Sequence, residues 1–222
     1  MTARVAVLAS GGGTNLQAIL DYLGAQGGTA TTVSLVASDR SSAGALDRAR
    51  RHGVEAIALD ETHRGDALVG LLESRAIDYI ALAGYLRFVP TSVTRQWRGR
   101  IVNVHPSLLP SFGGAGMYGI RVHQAVIEAG VRVTGVTVHF VDEEYDRGPI
   151  IAQWPAPVLP GDTPEVLAER VLAVEHALYP MALDAVAQGR VTLGADGRVA
   201  GLESVPELVA FPAPPPFVSN NQ

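Results

Sequence analysis

Residues 4–20 read RVAVLASGGGTNLQAIL. A Val-rich apolar run, a glycine turn and a helix-spaced segment follow one another without a gap. RVAVLA (4–9) suits a short buried strand. In LQAILDYL (16–23), Leu16, Ile19, Leu20 and Leu23 fall on one helical stripe. A strand that passes through a tight turn into a helix is the first half of a βαβ unit, and βαβ units build parallel sheets.

The alternation continues outward. TVSLVAS (32–38) reads as a strand, AGALDRARRHG (43–53) as a helix stopped by Gly53, and VEAIAL (54–59) as a third strand. DALVGLLESRA (66–76) has helical spacing, and DYIALAG (78–84) and RIVNVH (100–105) are further strands. The expected fold is α/β: a mostly parallel twisted sheet with helices on both faces, Rossmann-like. The pattern then changes. VRVTGVTVHFV (131–141) alternates, and IIAQWPAPV (150–158) follows a polar loop, so these two either pair with each other or extend the sheet. A long helix should start near 163, capped by Asp162 or Thr163 with Pro164 in its first turn. Pro180 is expected to kink or end it. From about 194 the chain reads as irregular and closes on FPAPPPFVSNNQ. The expected organisation is one domain over 1–193 and an irregular tail over 194–222.

Composition narrows the function. The chain has 222 residues, 47% of them hydrophobic, which is enough for a sizeable core. Charged residues make up 18% and the net charge is −5, which speaks against a nucleic-acid track or an acidic membrane as partner. Cysteine is absent, and the His at 52, 63, 105, 123, 139 and 176 form no HExxH pair, so no metal is expected. The apolar part of MTARVAVLAS is too short for a signal core and no segment could span a bilayer, so a cytoplasmic protein is expected.

Two motifs carry chemistry. The first is SGGGTN (10–15) between strand and helix. Three glycines let backbone approach a ligand, and the helix N-terminus offers free N–H groups, which together suit phosphate. No Gly-Lys-Ser/Thr follows, so it is no Walker loop. Leu16 stands where a dinucleotide fingerprint has its third glycine, although Asp39 could mimic the ribose-binding acid and keeps a nicotinamide oxidoreductase as a rival. The second motif is IVNVHPSLLP (101–110). Asn103 and His105 share a strand face at the carboxyl end of the sheet, where ligands of open α/β sheets sit. An amide that donates to an oxyanion beside an imidazole that moves a proton is equipment for attack on a carbonyl-level carbon. No GxSxG elbow or cysteine supplies a nucleophile and nothing marks Ser107 as activated, so the attacking group should come from a substrate. A carboxylate should orient His105 and raise its pKa. VDEEYDRGPI (141–150) offers Asp142, Glu143, Glu144 and Asp146, of which Asp146 precedes a turn able to fix its direction. His139 reads as structural, His52 and His63 as surface residues, and His123 stays open.

In order along the chain, SGGGTNLQAIL, AGYLRFV (83–89), NVHPSLLPSF (103–112), HFVDEEYDRGPI (139–150) and EHALYP (175–180) resemble the phosphoribosylglycinamide formyltransferase family, a branch of the folate-dependent formyltransferases, over roughly residues 4–190. The resemblance implies transfer of the formyl group of 10-formyltetrahydrofolate to the glycine amine of 5-phosphoribosylglycinamide in purine biosynthesis. It implies Asn103, His105 and Asp146 as catalytic residues. It implies Gly13, Thr14 and Asn15 as the phosphate loop and Glu175 as the residue that holds the glycinamide end. Arg64, Leu86, Arg87, Phe88 and Val89, with Asn103 and the loop residues Asp142, Glu143, Glu144 and Asp146, are implied as the folate pocket. Small-molecule substrates and a monomer or homodimer are expected. Two departures stand out. SFGGAGMYGIRVHQA (111–125) is longer than in the shorter family forms and opens a role for Tyr118 or His123, and Leu172 replaces an expected polar residue. Within the resemblance a formyltetrahydrofolate hydrolase is the alternative, but it should carry a further regulatory domain. A methionyl-tRNA formyltransferase should carry a basic RNA-binding region.

Overall fold

The computed structural model describes residues 2–27, 30–63 and 65–210. The first half is β1 (Ala3–Leu8), α1 (Thr14–Ala25), β2 (Thr31–Ser38), α2 (Gly44–Arg51), β3 (Glu55–Ala58), α3 (Asp66–Glu73), β4 (Tyr79–Leu82), α4 (Thr91–Gln96) and β5 (Ile101–His105). The second half is α5 (Ile120–Glu128), β6 (Val133–Phe140), β7 (Ile150–Pro157), α6 (Pro164–Ala187), β8 (Thr192–Leu193), β9 (Val199–Ala200) and α7 (Pro206–Val209). Seven strands form one sheet in the order β3-β2-β1-β4-β5-β6-β7. The pairs from β3 to β5 are parallel, whereas β5–β6 and β6–β7 are antiparallel. The two alternating segments therefore do both things expected of them: they pair with each other and they extend the sheet.

Period-two geometry sorts the core into two layers. Val5 and Val7 of β1, with Ala9 just beyond it, pack with α1 and α6 on one face, while Ala6 and Leu8 pack with α3 and α4 on the other. Both faces are covered, which is why these strands read as continuous apolar runs rather than alternating ones. Strand order reverses between β1 and β4, and the crevice beyond their carboxyl ends is where such sheets bind ligands.

Two expectations need correction, and two helices are additional to those expected. Pro180 does not end α6, which runs from Pro164 to Ala187 through it. A proline here removes an intrahelical bond, yet nearly every residue from Leu178 to Ala187 is buried, and Tyr179 donates its hydroxyl to the carbonyls of Leu82 (2.9 Å) and Val102 (3.0 Å). Tertiary anchoring on both sides outweighs the local cost. Residues 194–210 are not irregular. They hold β9, which pairs antiparallel with β8, and α7, with Val205 and Leu208 buried and the Trp154 indole donating to the Leu208 carbonyl at 3.2 Å. The proline-rich run from 211 lies outside the described residues. Finally, α4 and α5 were not visible in the sequence: α4 is six residues long and α5 follows a glycine-rich loop, so neither gives a long apolar period. Thr163 is the cap of α6, accepting from Val166 N–H, while Asp162 pairs with Arg170.

Because Leu208 is a core residue rather than part of a loose tail, Leu208→Ala should lower stability by about 2–5 kcal/mol in urea unfolding. An unchanged midpoint would mean the last helix contributes nothing to the fold.

Candidate functional site

A cleft of about 490 Å³ opens beyond β1, β4 and β5. Its floor is the end of β5, with Asn103 and His105, and its walls come from residues 84–89, the loop 114–120, the loop after β6 and one side of α6. No helix among the described residues is long and apolar enough to cross a membrane.

The polar floor is set by strand register. Antiparallel pairing of β5 with β6 puts Asn103 opposite His139 and His105 opposite Thr137. The buried His139 ring donates from Nδ1 to the Phe140 carbonyl (2.7 Å), which leaves its Nε2 as an acceptor. Asn103 donates from Nδ2 to that nitrogen at 3.1 Å. The amide is thereby held with its nitrogen toward His139, and one amide hydrogen is left to point elsewhere. His139, expected as a structural residue, is thus the orienting partner of Asn103.

His105 is buried and donates from Nε2 to the Phe112 carbonyl at 2.9 Å, while its Nδ1 lies 3.5 Å from Asp146 Oδ2. Asp146 reaches this place with φ 54°, a left-handed conformation unusual for a residue with a side chain, and accepts from the Gly114 N–H at 2.9 Å. The turn that carries it requires Gly148: a Cβ there would stand 1.9 Å from the Phe140 carbonyl oxygen. Asp146 therefore partners His105, but the expected raised pKa does not follow. Burial lowers the His105 pKa and outweighs the opposing pull of Asp146 and Phe112, so the imidazole sits below its ordinary value. For Asp146 burial acts upward, yet His139, His105 and the Gly114 N–H outweigh it, and its carboxyl lies below the ordinary range.

Ser107 is fully buried and its hydroxyl donates to the Ser111 carbonyl at 2.6 Å. Thr137 donates to the Ser107 carbonyl (2.6 Å) and accepts from Leu109 N–H (3.0 Å) and Gln153 (3.0 Å). These bonds hold the chain as it leaves β5, and Thr137 and Gln153 had no mark in the sequence. Among the described residues the cleft lining contains no Ser, Thr, Cys or Lys.

Asn15 and Glu175 meet at the far side, the Asn15 amide donating to Glu175 at 2.6 Å. Gly13 and Thr14 lie next to Asn15 in the turn, outside the cleft lining. Gly13 has φ 75°, and a Cβ there would stand 2.7 Å from Ala45 Cα, so this glycine is required by packing as well as by backbone conformation. The opposite wall is apolar: Leu86, Phe88 and Val89 line it, Phe88 meets Tyr145 edge-on with ring centroids 5.2 Å apart, and Arg87 adds the positive charge. Asp142 and Glu144 line the cleft, but Glu143 turns outward to Arg95 at 2.8 Å. Arg64 lies outside the described residues. Asp39 pairs with Arg87 at 3.2 Å, so it is not free to hold a ribose. Of the residues left open, His123 is buried against the cleft, where burial and then His105 lower its pKa. Tyr118 stands half-exposed at the rim with the Arg121 guanidinium 5.2 Å over its ring, and Leu172 faces the cleft.

The model of the formyl transferase family matches residues 3–183. The chain is 40% identical over 201 residues to a chloroplastic phosphoribosylglycinamide formyltransferase of Arabidopsis thaliana, covering 87% of this chain and 68% of that protein. It is 42% identical over 203 residues to the trifunctional purine biosynthetic protein adenosine-3 of Bos taurus, covering 89% of this chain but 20% of that protein. The crystal structure of glycinamide ribonucleotide transformylase 1 from Symbiobacterium toebii superposes with a TM-score of 0.80 at 43% identity, covering 89% of this chain and 93% of that one.

Burial pushes the Glu175 carboxyl up to about 7 against the opposing bond from Asn15. Between the ordinary value of 4.5 and about 7 the folded chain keeps a proton that the unfolded chain has released, so stability falls as pH rises through that window and the loss is complete above it. Glu175→Gln keeps an acceptor for Asn15 and removes the titration. It should match the parent at pH 4 and exceed it at pH 8 by up to about 3 kcal/mol in urea unfolding. A difference that does not change with pH would contradict a buried, titrating carboxyl.

Proposed function

The chain belongs to the formyl transferase family, in its phosphoribosylglycinamide formyltransferase branch, and from that premise we propose that it transfers a formyl group from 10-formyltetrahydrofolate to the glycine amine of 5-phosphoribosylglycinamide. The observation that carries the reading is a polar pair, Asn103 and His105, facing Asp146 in a cleft whose lining, among the described residues, has no Ser, Thr, Cys or Lys. The attacking atom then belongs to a substrate, and the amine of the ribonucleotide supplies it. The apolar wall of Leu86, Phe88, Val89 and Tyr145, with Arg87 beside it, suits a flat ring system bearing an acidic tail, as a folate has. The glycine turn with Thr14 and Asn15 suits the phosphate, and Glu175 suits the glycinamide end of the ribonucleotide.

The geometry supports a division of labour. Asn103, with one amide hydrogen engaged by His139, offers the other to the oxyanion that forms on the formyl oxygen. His105, held below its ordinary value, is neutral in the resting protein and its unprotonated Nδ1 faces Asp146. That nitrogen accepts the proton released by the attacking amine. The imidazolium so formed is stabilised by Asp146 and passes a proton to the departing folate nitrogen as the carbon–nitrogen bond breaks. Much of the acceleration comes from holding two substrates in one cleft.

His105→Ala and Asp146→Asn should each reduce formyl transfer by at least about 100-fold with the fold retained. The measurement is the absorbance change of 10-formyltetrahydrofolate with and without 5-phosphoribosylglycinamide. Near-parental turnover in either variant would remove that residue from the mechanism, and deformylation without the amine would make the protein a hydrolase.

A further inference from the structure

We infer that Arg48, on α2 and outside the cleft, is a positioning residue for the ribonucleotide's phosphate, acting by clamping the glycine turn from behind. The inference rests on the reading of that turn as the phosphate site. It follows from where the turn's carbonyls go. The Gly11 carbonyl accepts from the Ala45 N–H at 3.1 Å, and the Gly12 carbonyl accepts from Arg48 Nε at 2.7 Å. The Gly13 carbonyl accepts from Gln17 N–H at 2.9 Å, as the first bond of α1. In a trans peptide the C=O and the following N–H point in opposite directions. Fixing the carbonyls of Gly11 and Gly12 against α2 therefore aims the N–H groups of Gly12 and Gly13 to the other side of the turn. Among the described residues nothing accepts from either of them. They join the free N–H groups of the first turn of α1.

The clamp is closely fitted. Arg48 also donates from Nη1 to the Gln17 side chain at 3.1 Å, which ties α2 to α1 across the turn. Gly12 and Gly44 are close enough that a Cβ on Gly44 would stand 3.3 Å from the Gly12 backbone. A charged donor on the Gly12 carbonyl also polarises the peptide and makes the Gly13 N–H a stronger donor.

Charge makes such a device necessary. Among the described residues, Asp142, Glu144, Asp146 and Glu169 face the cleft against Arg87, beside the raised carboxyl of Glu175, and Leu172 contributes no polar group. The sequence contains no lysine, so all 17 of its Lys and Arg positions are arginine. A phosphate near two negative charges needs compensation at the turn itself. Arg48 supplies it one peptide plane behind the N–H groups, without touching the ligand.

The test uses the full-length protein, Arg48→Met, which keeps an apolar stem and removes the donors, and Arg48→Lys. Inorganic phosphate is the probe, as a competitor of 5-phosphoribosylglycinamide in formyl transfer. In the parent, phosphate should compete. In Arg48→Met, the phosphate inhibition constant and the KM for the ribonucleotide should both rise about tenfold, with kcat and the KM for 10-formyltetrahydrofolate within about twofold. Arg48→Lys should recover part of the loss, because an ammonium can still donate to the Gly12 carbonyl. A thermal melt confirms folding. A phosphate constant unchanged in Arg48→Met, or an equal rise in both KM values, overturns the inference while leaving the phosphate turn in place. Failure of phosphate to compete in the parent overturns the turn reading and the inference together.

Discussion

The site depends on the register with which β6 lies antiparallel against β5. That pairing sets Asn103 across from His139 and His105 across from Thr137. A slip of one residue would turn every side chain of β6 to the opposite face, separating the amide from the ring that orients it and the Thr137 hydroxyl from the loop it holds. The same strand ends at Phe140, whose carbonyl accepts from His139 and whose N–H donates to Pro149 across the turn that carries Asp146. One strand pairing thus positions three groups that are far apart in sequence. Parallel strands could bring the glycine turn and Asn103 to one end of the sheet, but the antiparallel return delivers the carboxylate.

Electrostatics then differentiates groups that the sequence presents as equals. Glu175 and Asp146 are both carboxylates in one cleft, yet burial drives Glu175 up to about 7 while Asp146 is kept below its ordinary range by His139, His105 and the Gly114 N–H. His105 is driven toward neutrality by the same burial. A neutral imidazole beside a persistent carboxylate can take up a proton where it is needed and have its charge stabilised once it arrives. Had the imidazole been charged at rest, it could not accept the amine proton.

The sheet and much of the site were legible in the sequence, for local reasons. Val-rich runs broken by glycine turns declare strands buried on both faces, and Asn103 and His105 two residues apart declare a shared face. The reach of Asp146 was legible because a rigid Arg-Gly-Pro turn follows it. Other features were hidden because they depend on distant partners. The direction of the His105 shift is decided by how much protein surrounds the ring, so reasoning from its carboxylate alone gave the opposite sign. Glu143 looks like Asp142 and Glu144 until Arg95 draws it outward. Pro180 looks like a helix stop until the packing around Tyr179 is counted.

By itself the sequence determined the alternation of strand and helix, the glycine turn and the presence of an amide–imidazole pair without a protein nucleophile, because these follow from residue periodicity and side-chain chemistry. Only the tertiary structure decided which histidine orients Asn103, how far burial moves each titratable group, and that Arg48 reaches the back of the glycine turn. Those depend on distances between residues far apart in the chain, and on how completely water is excluded from them, and neither is written in local sequence.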